Sequence, residues 1–294
     1  MSVRVFVGAA RVPTVPADDR GLAYGDGLFE TMRAHRGAVH WWQAHWGRLA
    51  AGAARLNLTL PDETLVRAEA EALLDGGAGV LKLLVTRGGG GRGYAPPDHV
   101  VPMWMLSRHP MPTAYAPGLV LRWCDTRLAV QALLAGLKHC NRLEQVLARA
   151  EWGRPPLTAR GAGLNATGGE NGQSPSVTPA PRSPLADEGL MRSTEGDVVC
   201  ATAANLFVLR DDRWLTPAVD RCGIAGVCRR WALAATSATE TRLDVTDVEA
   251  ADAVFLCNAV RGILPVGQLD DICWPSHPAT ESLRRDLGRE LSAA

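Results

Sequence analysis

The segment Gly136-Leu137-Lys138-His139-Cys140-Asn141-Arg142-Leu143-Glu144-Gln145 runs from an apolar turn into a helix, and it carries one of only two lysines in the chain, the other being Lys82. Beyond it, Leu143, Val146, Leu147 and Ala150 recur at the spacing of one helical face. Asn141 stands where an N-cap belongs, and Glu144 lies three residues on, at the capping-box position. A lysine between an apolar segment and a capped helix sits where its amine can be fixed on a cavity wall. Desolvation there lowers the amine's pKa toward the nucleophilic free base. A purely structural lysine in a turn has the same spacing, so the pattern alone does not separate the two. Lys82 interrupts the apolar run Gly79 to Thr86, and it is expected to project to the opposite, wetter face or to snorkel.

Upstream, the chain reads β-rich at first. Val3 to Val7 alternates, and Gly37 to Trp42 follows a turn signal. Between them, Asp19-Arg20-Gly21-Leu22-Ala23-Tyr24-Gly25-Asp26-Gly27-Leu28-Phe29-Glu30-Thr31 is too glycine-rich for a helix and too polar for a plain turn. Helices are expected over His45 to Asn57 and, after Pro61, over Asp62 to Asp75. Gly79 to Thr86 reads as a buried strand that feeds Arg87-Gly88-Gly89-Gly90-Gly91-Arg92-Gly93-Tyr94, and Val100 to Ser107 as another strand. His109 to Gly118 holds three prolines, the mark of a linker. The expected organisation is therefore α/β: a small N-terminal domain over 1–110, an interdomain linker at 111–118, and a larger mixed domain over 119–294. Within the latter, 152–188 is dominated by Pro, Gly, Ser and Thr without periodicity and is expected to be a mobile insertion without chemistry. Further on, a buried strand is expected over Ala253 to Asn258 and a terminal helix over Glu281 to Leu291.

Composition narrows the function. Thirty-one basic residues balance 31 acidic ones, so the clustered cationic excess that draws nucleic acid or an anionic membrane surface is missing. No run approaches the roughly 18 apolar residues of a span, and Met1 to Gly8 lacks the pattern of a signal peptide. A cytoplasmic protein without nucleic-acid or membrane partners is expected. Seven cysteines, with no CxxC or Cys/His cluster, read as reduced thiols and indicate no metal site. Because all the remaining basic residues are arginine, chemistry that needs a primary amine has just Lys82 and Lys138 to draw on.

Two glycine-rich stretches remain open. Gly223-Ile224-Ala225-Gly226 precedes a helical pattern, so it is either a phosphate cradle at a helix N-terminus or an ordinary turn. The Arg87 to Tyr94 loop suits a phosphate cradle, an RNA contact of the RGG type, or a pair of guanidiniums facing a carboxylate. The RGG reading is the weakest, because such segments act in multiple disordered copies.

Taken with Arg48, with Ala203 to Phe207 (AANLF) and with Cys257 to Val266 (CNAVRGILPV), these segments stand in the order found in the fold-type IV pyridoxal-phosphate enzymes, and the chain resembles that family from end to end apart from 152–188. Within the family, the GGRGY, KHxNRLEQ and CNA…LPV forms are most similar to the 4-amino-4-deoxychorismate lyases, with the D-amino-acid and branched-chain aminotransferases as the alternative. The resemblance implies pyridoxal 5'-phosphate as cofactor, a homodimer, and Lys138 as the catalytic lysine that carries the cofactor, with Thr31 beside it. It implies Arg48, Ile224 and Ala225 at the cofactor phosphate, and Asn205 and Ala259 along the cofactor site. Arg92, Tyr94, Arg87 and Phe29 are the implied substrate-binding residues, the substrate being 4-amino-4-deoxychorismate. In one place the chain departs from the family. Cys200 stands where the family places a glutamate against the pyridine nitrogen, a change that burdens transamination more than elimination.

Overall fold

In a computed structural model, residues 2–115, 118–153 and 186–293 are described. Among these residues the N-terminal part builds one six-stranded sheet from β1 (Ser2–Val7), β2 (Ala10–Val12), β3 (Gly27–His35), β4 (Ala38–Val39), β5 (Gly79–Thr86) and β6 (Met103–His109). Their order is β2-β1-β6-β5-β3-β4, and every pairing is antiparallel. Three helices accompany it: α1 (Arg20–Tyr24), α2 (Trp42–Leu56) and α3 (Glu63–Leu74). Strand alternation turns Leu81, Leu83 and Val85 of β5 and Leu106 of β6 onto one buried face, where Leu49 of α2 and Val66 and Ala70 of α3 cover them. Phe6 stacks on Trp104 at 3.9 Å within the same core. Asp62 caps α3 by accepting from the Leu65 N–H.

The chain then starts a second sheet, whose strands are β7 (Leu119–Trp123), β8 (Glu188–Arg192), β9 (Val198–Ala201), β10 (Asn205–Arg210), β11 (Arg213–Pro217), β12 (Thr239–Thr241), β13 (Ala253–Asn258), β14 (Gly262–Leu269) and β15 (Ile272–Cys273). The order is β12-β11-β10-β13-β14-β7-β8-β9, with β15 on β14, and parallel pairs (β14 with β7, β7 with β8, β11 with β12) mix with antiparallel ones. The helices here are α4 (Leu143–Ala150), α5 (Val227–Thr236), α6 (Val245–Glu249) and α7 (Pro278–Ala293). Central strands β10 and β13 are buried on both faces, which is why they read as unbroken apolar runs. Leu206, Val208, Val254 and Leu256 face the side covered by Val248 of α6. Phe207 and Phe255, stacked at 4.8 Å, face Ala232 of α5 and Leu287 of α7. The β10–β11 hairpin turns on Asp211 and Asp212, both at positive φ (49° and 58°), as a two-residue turn requires.

The architecture is thus mixed α/β, as expected from the sequence. Three local expectations fail. The stretch Asp19 to Thr31, too glycine-rich for a helix by its sequence, opens with α1 (Arg20–Tyr24), which Asp19 caps by accepting from the Leu22 N–H. Asn141 does not cap α4: Arg142 occupies the N-cap without a side-chain bond, and Glu144 instead accepts from the Ala129 N–H at 2.7 Å, tying the preceding loop to the helix. The expected insertion is ordered at its ends, since the Trp152 indole donates to the Ala186 carbonyl at 2.5 Å and β8 begins at Glu188, while its interior at 154–185 lies outside the described residues. No helix among the described residues is long and apolar enough to cross a membrane.

Candidate active site

Lys138 is placed by backbone hydrogen bonds on both sides. On one side the Gly136 N–H donates to the Gly223 carbonyl, and the Ala225 N–H donates back to the Gly136 carbonyl at 3.0 Å. On the other, the Phe29 N–H donates to the Lys138 carbonyl and the Cys140 N–H to the Gly27 carbonyl, both at 2.9 Å. The five residues from Gly136 to Cys140 therefore act as a short extra strand that fixes the loop before α5 against β3. Gly136 has φ +77°, a left-handed value that a side chain would strain.

Strand β3 serves the site with both of its faces. Phe29 and Thr31 point into a cavity of about 580 Å³, which Lys138 also lines. Glu30 points the other way, under α2, where it is 1 % exposed. There its carboxylate accepts from Arg48 and meets His45 Nδ1 at 2.6 Å. Burial alone would raise the Glu30 carboxyl, but the His45 bond and the Arg48 charge hold it below the ordinary value. Glu30 thus aims Arg48, whose remaining guanidinium nitrogen reaches the Ala225 carbonyl at 3.1 Å and which lines the same cavity.

The far walls come from the second sheet and its helices. Cys200 lies near the end of β9, Asn205 begins β10, Asn258 ends β13 and Ala259 follows it. Asn205 Nδ2 donates to the Ile224 carbonyl at 2.9 Å and steadies the turn before α5. That turn leads to the α5 N-terminus, where Gly226 is the N-cap and Val227 and Cys228 line the cavity. Such an end offers unpaired N–H groups and the positive pole of a helix dipole, both suited to a phosphate.

Electrostatically the cavity is one-sided. Arg48, Lys138, Arg142, Arg149 and Arg261 line it, and among its described lining residues there is no Asp or Glu. Burial, followed by the Arg48 charge, brings the Lys138 amine down from 10.5 to about 7. A large share of it is therefore the neutral nucleophile at physiological pH. Two buried polar atoms of the wall, Arg142 Nη2 and Gln145 Oε1, have no hydrogen-bond partner. Atoms of this kind carry a desolvation penalty that a polar ligand relieves. The site fits an anionic ring compound carrying a phosphate and an aldehyde.

Of the residues expected from sequence, Lys138, Thr31, Phe29, Arg48, Asn205, Ile224, Cys200 and Ala259 share this cavity. Ala225 does not line it; its carbonyl accepts from Arg48, and its N–H is spent on Gly136. Arg87 stands outside this cavity: it is 7 % exposed and binds both Asp26 oxygens and the carbonyls of Leu56 and Asn57. Tyr94 is 85 % exposed, and neither it nor Arg92 lines the cavity of this chain. Lys82 turns away from the core as expected, yet onto Phe29 rather than into water. Its Nζ lies 5.0 Å from that ring centroid, and the Lys138 Nζ lies 4.4 Å from it. Reading the sequence did not find Arg142, Gln145, Arg149 or Arg261 on the wall. The first two lie within the quoted GLKHCNRLEQ segment, and Arg149 follows Gln145 and Val146 on the same helix.

The family model for amino-transferase class IV matches residues 27–155 and 185–269. The aminodeoxychorismate lyase of Vibrio harveyi is 34 % identical over 288 residues, covering 93 % of this chain and 95 % of that protein. The crystal structure of 4-amino-4-deoxychorismate lyase from Pseudomonas aeruginosa is similar with a TM-score of 0.81 and 38 % identity, over 98 % of this chain and 99 % of that one. The branched-chain amino acid aminotransferase of Escherichia coli, at 18 % identity and a TM-score of 0.77 over 97 % of this chain and 93 % of its own, shares the fold.

Proposed function

The chain belongs to the amino-transferase class IV family, and on that premise we propose that it is a pyridoxal-phosphate-dependent carbon–oxygen lyase that converts 4-amino-4-deoxychorismate to 4-aminobenzoate and pyruvate. The observation that carries this reading is the placement of Lys138, a desolvated amine in a cavity whose described ionisable wall is wholly Arg, Lys and Cys. A substrate with two carboxylates gains from such a wall, because cations with no acid among them focus its potential on the anion.

When bound, pyridoxal phosphate supplies an aldehyde for the substrate's amine and a conjugated ring that accepts the electron pair left as a proton departs. Arg48, fixed by Glu30, and the α5 N-terminus would hold the phosphate. Lys138 would carry the cofactor at rest. Once freed by the substrate amine, it would take the ring proton, a task matched by an amine near neutrality. Thr31 presents its side chain to the same space from β3, in position to hydrogen-bond the substrate. Phe29 forms the hydrophobic floor under the two lysines. Loss of the enolpyruvyl group then leaves an aromatic ring, which provides the driving force.

Oligomerisation follows from the same site. The apolar side of α4 is bare in a single chain: Leu143 is 76 % exposed, Val146 59 % and Leu147 56 %. Since Val146 also borders the cavity, a second copy packed on α4 would close the site in a homodimer. Arg92 and Tyr94 are assigned to the substrate carboxylate on the strength of the family resemblance, from positions outside this chain's own cavity. A cytoplasmic location completes the proposal.

Incubating the cofactor-loaded enzyme with 4-amino-4-deoxychorismate and following 4-aminobenzoate fluorescence tests the reading. Product release supports it. Conversion of D-alanine or branched-chain amino acids with a 2-oxo acid, without 4-aminobenzoate, would replace it by an aminotransferase of the same fold.

A further inference from the structure

We propose that this chain holds the ring nitrogen of bound pyridoxal phosphate unprotonated, because the cavity offers that nitrogen donors and cations but no carboxylate. The proposal rests on the pyridoxal-phosphate reading above and adds what the protein does to the cofactor's electronics. In the cofactor the ring nitrogen lies para to the ring carbon that bears the aldehyde, so with the aldehyde at Lys138 it would face the wall away from that lysine. A pyridinium there needs an anionic partner to keep its proton. Among the described lining residues, every ionisable group other than Lys138 is an arginine or a cysteine.

Two acids close to lining residues are committed behind the wall. Glu30 is spent on His45 and Arg48. Glu188 is taken by Arg149, by the Thr202 hydroxyl and by the Gly189 N–H. What the wall does present is Cys200, 8 % exposed, with the Arg142 charge acting on it. Burial pushes the Cys200 thiol up to about 12, so it is a neutral S–H donor. Arg142 donates through Nε to the His139 carbonyl at 2.9 Å, while its Nη2 is buried and unpartnered. Thiol and guanidinium are both donors, complementary to a bare pyridine nitrogen and repellent to a pyridinium. Gln145 Oε1, a buried acceptor of the wall without a partner, is a neutral amide oxygen and carries no charge to retain the proton.

The consequence is reaction specificity. An unprotonated ring withdraws electrons weakly and so slows transamination, which relies on the ring as the electron sink. An elimination that makes its own aromatic product depends on that sink far less. The cavity therefore selects against the side reaction without excluding the substrate amine.

The test is ¹⁵N NMR of the enzyme reconstituted with pyridoxal 5'-phosphate labelled at the ring nitrogen. The expected signal lies in the neutral-pyridine range and stays there across neutral pH. A pyridinium signal overturns the proposal, as does failure of the chain to take up the cofactor. Cys200→Glu supplies the missing acid. It should move the resonance toward pyridinium and raise single-turnover conversion to the pyridoxamine form with D-alanine by roughly tenfold or more. A folded Cys200→Glu enzyme with both readouts unchanged also counts against the proposal. If that variant fails to fold, the wild-type signal decides alone. A neutral-pyridine signal without 4-aminobenzoate release sinks the lyase reading and leaves this inference standing, and product release with a pyridinium signal does the reverse.

Discussion

At the scale of single residues, the chemistry depends on one amine and on the charges that surround it. Lys138 has its folded-state amine near 7 against an ordinary 10.5, so between those values the unfolded chain binds a proton that the native chain lacks. Native stability accordingly falls as pH drops through that window, and the penalty is complete below about 7. Replacing Lys138 by Met should raise the melting temperature of the cofactor-free protein at neutral pH, with the gain fading toward pH 10.5, as calorimetry at several pH values would show. A gain independent of pH would mean a packing effect instead. With cofactor added, the same variant should lose the visible absorbance that a lysine-bound cofactor gives. Arg87→Ala makes the complementary point. It leaves half-buried Asp26 with Arg20 alone and removes the donor from two carbonyls, so a loss of about 1–3 kcal/mol in denaturant unfolding is expected. KM should stay unchanged in whatever fraction remains folded. The sequence marks Arg87 as a guanidinium in a glycine loop, but not that Asp26, 61 positions away, already occupies it. Long-range occupancy of this kind is invisible to local spacing.

At the scale of elements, most of the frame was legible because periodicity reports burial directly. Strand β5 spans Gly79–Thr86 as expected, and α3 begins after its Asp62 cap. The miss at α4 has a physical reason: a capping-box pattern gives only the option of a cap, and Glu144 gains more by anchoring the Ala129 N–H. Asn141 lies instead against Gly25, where a Cβ would meet its Oδ1 at 2.2 Å. The α5 N-terminus carries the sharpest prediction at this scale. A Cβ on Gly226 would fall 2.1 Å from Asn205 Oδ1, so Gly226→Ala must displace the side chain that holds the Ile224 carbonyl. Cofactor affinity should drop at least severalfold, measured by absorbance titration, with the fold preserved by circular dichroism. Unchanged affinity would remove α5 from the phosphate site. The cationic wall residues on α4 escaped sequence reading because Arg142, Gln145 and Arg149 look the same on a solvated helix as on a cavity wall, and only the tertiary position of α4 distinguishes them.

At the scale of the whole molecule, the site exists because residues 136–140 hydrogen-bond to β3 of the first sheet and to the loop before α5 beside the second. Both sheets contribute walls, and neither alone holds a complete set of groups. The apolar face left bare on α4 extends this logic to a second copy. Leu143→Asp with Leu147→Asp should shift the protein from dimer to monomer in sedimentation velocity and lower activity in proportion. A double variant that stays dimeric would place the interface elsewhere. The central claim is that this cavity eliminates pyruvate rather than exchanging amino groups. The direct measurement is a stoichiometry: 4-aminobenzoate and pyruvate quantified together after turnover of 4-amino-4-deoxychorismate, with no 2-oxo acid added. The account predicts equal amounts of the two products and sustained turnover. Turnover that requires an added 2-oxo acid, or loss of substrate without 4-aminobenzoate, would contradict it.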